Sequence, residues 1–146
     1  MDPPALVPQV YVSCLDASLS FYVDLLGFHV AYDRPEERFA CLALGSAQLV
    51  IEEAPVLARA AAEPLRRSSW SSADLARPFG RGLSLEIRVA GLEAIGVRLE
   101  RARYAMLLGV HMRVRRGQGE DHAVRQLLVG DPDGHLIRLW EPIELG

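Results

Sequence analysis

Residues 126–140, Gln126-Leu127-Leu128-Val129-Gly130-Asp131-Pro132-Asp133-Gly134-His135-Leu136-Ile137-Arg138-Leu139-Trp140, are the stretch that decides the fold. Two apolar runs flank the four-residue turn Asp131-Pro132-Asp133-Gly134. Pro132 presets φ for the turn, the aspartates can accept hydrogen bonds from nearby backbone N–H groups, and Gly134 tolerates a positive φ on entry to the next strand. The stretch predicts a β-hairpin with a site in its neighbourhood. Working outward, residues 83–89 alternate as a strand, 92–104 carry helical spacing, and strands are expected over 110–115, 123–129 and 135–141.

The first third of the chain repeats that order. A strand is expected over 8–13, and Asp16 can cap a helix in which Leu19, Tyr22, Val23 and Leu26 recur at helical spacing, until Gly27 stops it. Strands follow over 28–33, 38–44 and 48–53, with Gly45-Ser46 as a tight connection. Two β-α-β-β-β modules result, over 7–53 and 83–142, and the whole chain, 1–146, reads as one domain. Residues 54–82 form the linker or lid, with a helical turn near 58–62 and the polar run Arg67-Ser68-Ser69-Trp70-Ser71-Ser72. Trp70 either packs over a core edge or covers a ligand, and packing is the default.

Strand parity separates core from cavity, because side chains at i, i+2 and i+4 share one face of a sheet. Val10, Val12, Leu49, Ile51, Leu83, Leu85, Ile87, Val89, Ile137 and Leu139 form the helix-facing set. Opposite them stand Gln9, Tyr11 and Ser13, then Gln48, Val50 and Glu52, then Ser84, Glu86 and Arg88, and finally Leu136, Arg138 and Trp140. This concave face mixes aromatic walls with Glu52, Glu86, Arg88 and Arg138, which suits an organic ligand.

Composition narrows the function classes. A chain of 146 residues with a net charge of −3 lacks the basic surface of a general nucleic-acid binder. No apolar run approaches the roughly 20 residues that span a bilayer, and Met1-Asp2-Pro3-Pro4 lacks a signal-peptide layout, so a cytoplasmic protein is expected. Cys14 and Cys41 read as two separate buried thiols. There is no Gly-x-Ser-x-Gly elbow, and neither cysteine has an evident basic partner, which argues against nucleophilic catalysis. His29, His111, His122 and His135 show no ligand spacing and read as surface or strand-edge residues. Arg98, Arg101 and Arg103 read as a solvated helix face, and Arg113, Arg115 and Arg116 as an exposed strand edge.

Leu19-Ser20-Phe21-Tyr22 followed by Leu25-Leu26-Gly27-Phe28, combined with the Asp131 turn, resembles the vicinal oxygen chelate superfamily. Its members include glyoxalases, extradiol dioxygenases, fosfomycin-inactivating enzymes and metal-free bleomycin resistance proteins. The resemblance implies an α+β fold in which the two modules pair into a curved, cup-shaped mixed sheet. In metal-dependent members the ligands, His, Glu or Gln, sit near the start of each module's first strand and within its last strand. Carried over by register, those positions fall on Val7, Glu52, Ser84 and Arg138. Only Glu52 can bind a metal, and a guanidinium beside the site repels a cation.

The resemblance therefore implies the bleomycin resistance branch: a pocket without metal, cofactor or catalytic residue that sequesters an antibiotic or aromatic metabolite, in a homodimer. The expected ligand-binding residues are Tyr11, Phe39, Glu52, Trp70, Ser84, Glu86, Arg88, Arg138 and Trp140, and a bleomycin-like, planar or cationic ligand suits them. Tyr11, Phe39 and Trp140 also read as ordinary strand core, and Glu52 as either a ligand anchor or the ion-pair partner of Arg138. For Arg138 an ion pair is the default, because leaving a half-buried pair broken costs roughly 3–5 kcal/mol. The competing reading is a metal-dependent lyase, isomerase or dioxygenase with shifted ligands. A structural or regulatory module without a small ligand is the third.

Overall fold

The computed structural model describes residues 4–53, 78, 80 and 82–143. Trp70, the turn near 58–62 and the polar run 67–72 lie outside the described residues, as does nearly all of the segment read as linker or lid. The first module runs β1 (Gln9–Val12), α1 (Leu15–Leu19) widening into a π-type helix (Ser20–Leu25), β2 (His29–Arg34), β3 (Phe39–Leu44) and β4 (Ala47–Glu53). The second runs β5 (Ser84–Arg88), α2 (Leu92–Arg101), β6 (Leu108–Arg116), β7 (Asp121–Gly130) and β8 (Leu136–Pro142). Each module folds its own four-stranded mixed sheet, in the orders β1-β4-β3-β2 and β5-β8-β7-β6. In both, the first strand lies parallel to the last and the other pairs are antiparallel. This is the α+β architecture that the repeated order predicts.

Parity sorts the side chains as expected, with one correction. Val12, Ile51, Ile137 and Leu139 are fully enclosed on the helix-facing sides, together with Val10, Leu49, Ile87 and Val89. Leu83 is instead 51% exposed. It precedes β5, so the pairing that would turn it toward α2 has not begun.

The helix starts are set across space rather than locally. Asp16 does not cap α1; Cys14 holds the cap position without a side-chain bond. Glu53, at the end of β4, accepts the Leu15 N–H at 2.9 Å, and Arg38 binds the same carboxylate at 2.8 Å. The second module repeats the device: Glu141 accepts the Leu92 N–H at 3.2 Å and pairs with Arg125 at 2.7 Å. A carboxylate at a helix N-terminus satisfies an orphan donor and complements the helix dipole. Cys14, expected to be buried, is exposed, whereas Cys41 is buried.

Aromatic rings and the Asp131 turn join the modules. The wide turn of the first helix brings consecutive Phe21 and Tyr22 into the core at 1% and 0% exposure. Phe21 lies 4.9 Å from the Tyr104 ring of the second module, and Tyr22 stands edge-on to Phe28 at 5.7 Å. Asp131 Oδ1 accepts the N–H groups of Asp133 and His135, while its Oδ2 accepts the Tyr22 hydroxyl at 2.7 Å. Asp133 accepts the Ser13 N–H at 2.7 Å and its hydroxyl at 2.6 Å. Two readings change here. His135 is buried, with Nδ1 2.6 Å from Asp131, rather than at the surface. Arg98 donates Nε–H to the Leu25 carbonyl at 2.9 Å, so it ties the modules together rather than lying on a solvated face.

Candidate functional site

The expected site residues divide between the two sheets. On the first, Tyr11, Glu52, Phe39 and Arg34 stand in register across β1, β4, β3 and β2. Gln9 donates Nε2–H to Glu52 at 2.7 Å. Tyr32 packs on Phe39 with ring centres 5.9 Å apart, and the Arg34 guanidinium lies 4.9 Å from the Phe39 ring centre. Partial burial, with the Glu52 charge added, raises the Tyr11 phenol above its ordinary value. This row is aromatic with a single carboxylate at its centre.

On the second sheet, Ser84, Glu86 and Arg88 of β5 pair in register with Leu136, Arg138 and Trp140 of β8. A cavity of about 340 Å³ opens over this face, with Glu86, Arg138 and Trp140 in its wall beside Gln126 and Val124 of β7. The β6 strand completes it with Arg113, Val114, Arg115 and Arg116. Arg115 donates to the Glu86 carboxylate and lays its guanidinium over the Trp140 ring, 4.6 Å from the centre. Gln126 is itself held by His111 at 2.9 Å.

The structure thus brings Glu86, Arg138 and Trp140 together and leaves Tyr11, Phe39 and Glu52 on the other sheet. Ser84 is exposed at the start of β5. Arg88 lines a neighbouring groove of about 1030 Å³ between the Gly45–Ala47 turn and the end of β5. The expected Glu52–Arg138 ion pair is not formed. Glu52 is bonded to Gln9, and among the described residues Arg138 has no ion-pair partner.

The β6 arginines are the residues that sequence reading missed as site members. They are exposed, as expected, but Arg113 and Arg115 pair in register with Val124 and His122 on the face that β8 presents as Arg138 and Trp140. Their alternation with Met112 and Val114 carried the signal. The apolar partners are 69% and 59% exposed, so they mark no core face and gave the strand no inside.

The residues do not fit a divalent metal. The two helix-capping glutamates set the register of the internal repeat, in which Glu53 corresponds to Glu141. Glu52 then corresponds to Trp140, and Arg138 to Val50, which pairs with Gln9 as Arg138 pairs with Glu86. Glu52 and Arg138 are therefore not equivalent positions in the fold. The register set by Arg138 gives Val7, Val50, Ser84 and Arg138, and the register set by Glu52 gives Val7, Glu52, Ser84 and Trp140, so at most one carboxylate stands where an ion needs several carboxylates or imidazoles. Among the described residues no three His, Cys, Asp or Glu side chains converge. No helix among them is long and apolar enough to cross a membrane.

A repeated β-α-β-β-β unit whose wall can carry a ligand site defines a class, and the family model for the Glyoxalase/Bleomycin resistance protein/Dioxygenase superfamily matches residues 6–139. The chain belongs to that superfamily. Similar solved structures include virulence protein STM3117 from Salmonella typhimurium, at 16% identity and TM-score 0.65, covering 98% of this chain and 99% of that one. TioX from Micromonospora sp. ML1 has 17% identity and TM-score 0.65, with 97% of this chain and 100% of that one covered. Lactoylglutathione lyase from Agrobacterium tumefaciens has 18% identity and TM-score 0.58, with 95% of each chain covered. At these identities the likeness is one of fold. No curated protein matches the chain.

Proposed function

We propose that this protein binds a small organic molecule without metal and holds it unchanged, as the bleomycin resistance branch of the superfamily does. The observation that carries the reading is Arg138. In the register carried over from the superfamily Arg138 falls where metal-dependent members place a ligand, and it lines a cavity with Trp140 and Glu86. Nothing in that wall is arranged as a nucleophile beside a base; Gln126, Val124 and Trp140 offer shape and hydrogen bonds instead.

Bleomycin itself suits the cavity poorly. About 340 Å³ lies near the lower end of ligand pockets, roughly 300–1,000 Å³, and a glycopeptide is larger than such a space. A compact ligand is the better match. A second copy of the chain in a homodimer is part of the same proposal, since β6, which lines the cavity, is the last strand of its sheet.

The test combines metal analysis, binding and product analysis on untagged protein. Elemental analysis should find well under one divalent ion per chain. A bound compound at about 100 times its dissociation constant should stabilise the fold by about 2.7 kcal/mol, read as a rise in melting temperature, and should be recovered chemically unchanged. Stoichiometric metal, or conversion of the compound, overturns the reading in favour of a lyase, isomerase or dioxygenase.

A further inference from the structure

Resting on that reading of the site, we infer that the cavity of the second sheet selects small aromatic acids, with the carboxylate on Arg138 and Arg113 and the ring against the apolar wall beside Trp140. Charge is the first reason. Four arginines, Arg113, Arg115, Arg116 and Arg138, line the cavity with one carboxylate, Glu86. That carboxylate is already engaged, because Arg115 donates to it. Among the described residues Arg113, Arg116 and Arg138 have no ion-pair partner. A cavity that concentrates positive charge attracts an anion and repels the cationic ligand that Glu52 and Glu86 together would favour.

Geometry supplies the second reason. Planar guanidinium groups bind a carboxylate through two parallel N–H bonds, which fixes orientation as well as charge. Arg138 lies on β8 and Arg113 on β6, so the two approach an anion from either side of β7. The Arg115–Trp140 contact borders this space, with Glu86 holding the guanidinium in place. Val124 adds apolar wall, and the volume admits one or two fused rings. An isolated anion would leave that wall without a partner. A nucleic acid is disfavoured by the net charge of −3 and by a cavity too small for more than one base.

The test is calorimetric titration with four probes: 1-naphthoate, its neutral analogue 1-naphthamide, the cationic 1-naphthylmethylamine, and inorganic phosphate. The acid should bind, the amide at least tenfold more weakly, and the amine and phosphate not measurably. Arg138→Gln and Arg113→Gln should each weaken the acid about tenfold, as expected for losing a charged hydrogen bond, and Trp140→Leu should weaken it without changing the preference for acid over amide. Added salt should weaken the acid and leave the amide unchanged. Equal binding of acid and amide, binding of the amine, or indifference to both arginine substitutions overturns the inference. Phosphate binding as tightly as the acid overturns it too, since that describes a bare anion site. If the amide or amine binds and is recovered unchanged, only the preference for acids falls and the binding reading stands. If the acid binds and is consumed, the preference stands and the sequestering reading falls.

Discussion

The Tyr22 hydroxyl donates to Asp131 Oδ2 at 2.7 Å across 109 residues of sequence, and both groups are buried. This bond joins the helix of the first module to the hairpin turn of the second. Tyr22→Phe removes the donor and leaves one buried carboxylate oxygen with only His135 as a side-chain partner. The expected cost is about 1–3 kcal/mol, measured as a lower urea midpoint with an unchanged slope. An unchanged midpoint would mean that the bond contributes nothing net to the seam.

The same turn contributes to stability at acid pH. Burial alone would raise the Asp131 carboxyl, but hydrogen bonds from His135 and Tyr22, with the His135 charge, outweigh it and hold the group below its ordinary value of 3.8. A carboxyl depressed in the folded state stabilises that state above the unfolded value and loses the contribution as pH falls through the folded one. Stability should therefore drop as pH falls from about 4 downward. Urea midpoints followed across that window should show a shallower drop in Asp131→Asn, and a drop as steep as in the native protein would assign it to other carboxylates.

At the alkaline end the sign reverses. Burial, followed by the charges of Asp131 and Asp133, pushes the Tyr104 phenol up to about 12, and burial raises Tyr22 well above 10.0. Both phenols favour the folded state below the unfolded value near 10, and their contribution is lost as pH rises beyond it. Ultraviolet titration should show three of the four tyrosines in the chain, Tyr11, Tyr22 and Tyr104, ionising late. Four tyrosines titrating together near 10 while the fold is intact would contradict this.

Glu53→Ala and Glu141→Ala test the repeated helix start. Each removes a carboxylate acceptor from the first helical N–H and leaves an arginine with a longer ion pair only, Arg38 with Asp16 at 3.9 Å or Arg125 with Glu93 at 3.6 Å. Losses of about 0.5–2 kcal/mol are expected, in the range of other helix caps. Asp16→Ala should cost less than either, because its nearest partner is Arg38 at 3.9 Å and its side chain is largely exposed. A larger effect at Asp16 would return the cap to that residue.

The outer strands make assembly testable. β2 and β6 each have a neighbour on one side only, and β6 exposes Leu108, Met112 and Val114. Unpaired apolar edges favour association, and a dimer is expected in sedimentation equilibrium. Met112→Asp with Val114→Asp should shift it toward monomer. A native protein that stays monomeric at all concentrations would rule out the homodimer.

Sequence periodicity by itself determined the two β-α-β-β-β modules, because strand alternation and helical spacing are local patterns. The Pro132 and Gly134 turn and the inward set Val10, Val12, Ile51, Ile137 and Leu139 follow from the same local rules. Tertiary structure decided what faces what. Glu53 displaced Asp16 as the cap because β4 ends beside the start of α1, a parallel neighbour that no local signal specifies. His135 and Arg98 left the expected surface because the modules pack through that turn and helix. The cavity changed most: Glu52 went to the first sheet, and Arg113 and Arg115 joined Arg138 on the second. Which strands lie side by side fixes the electrostatics of a site, and that choice belongs to the packed sheets rather than to the order of residues along one strand.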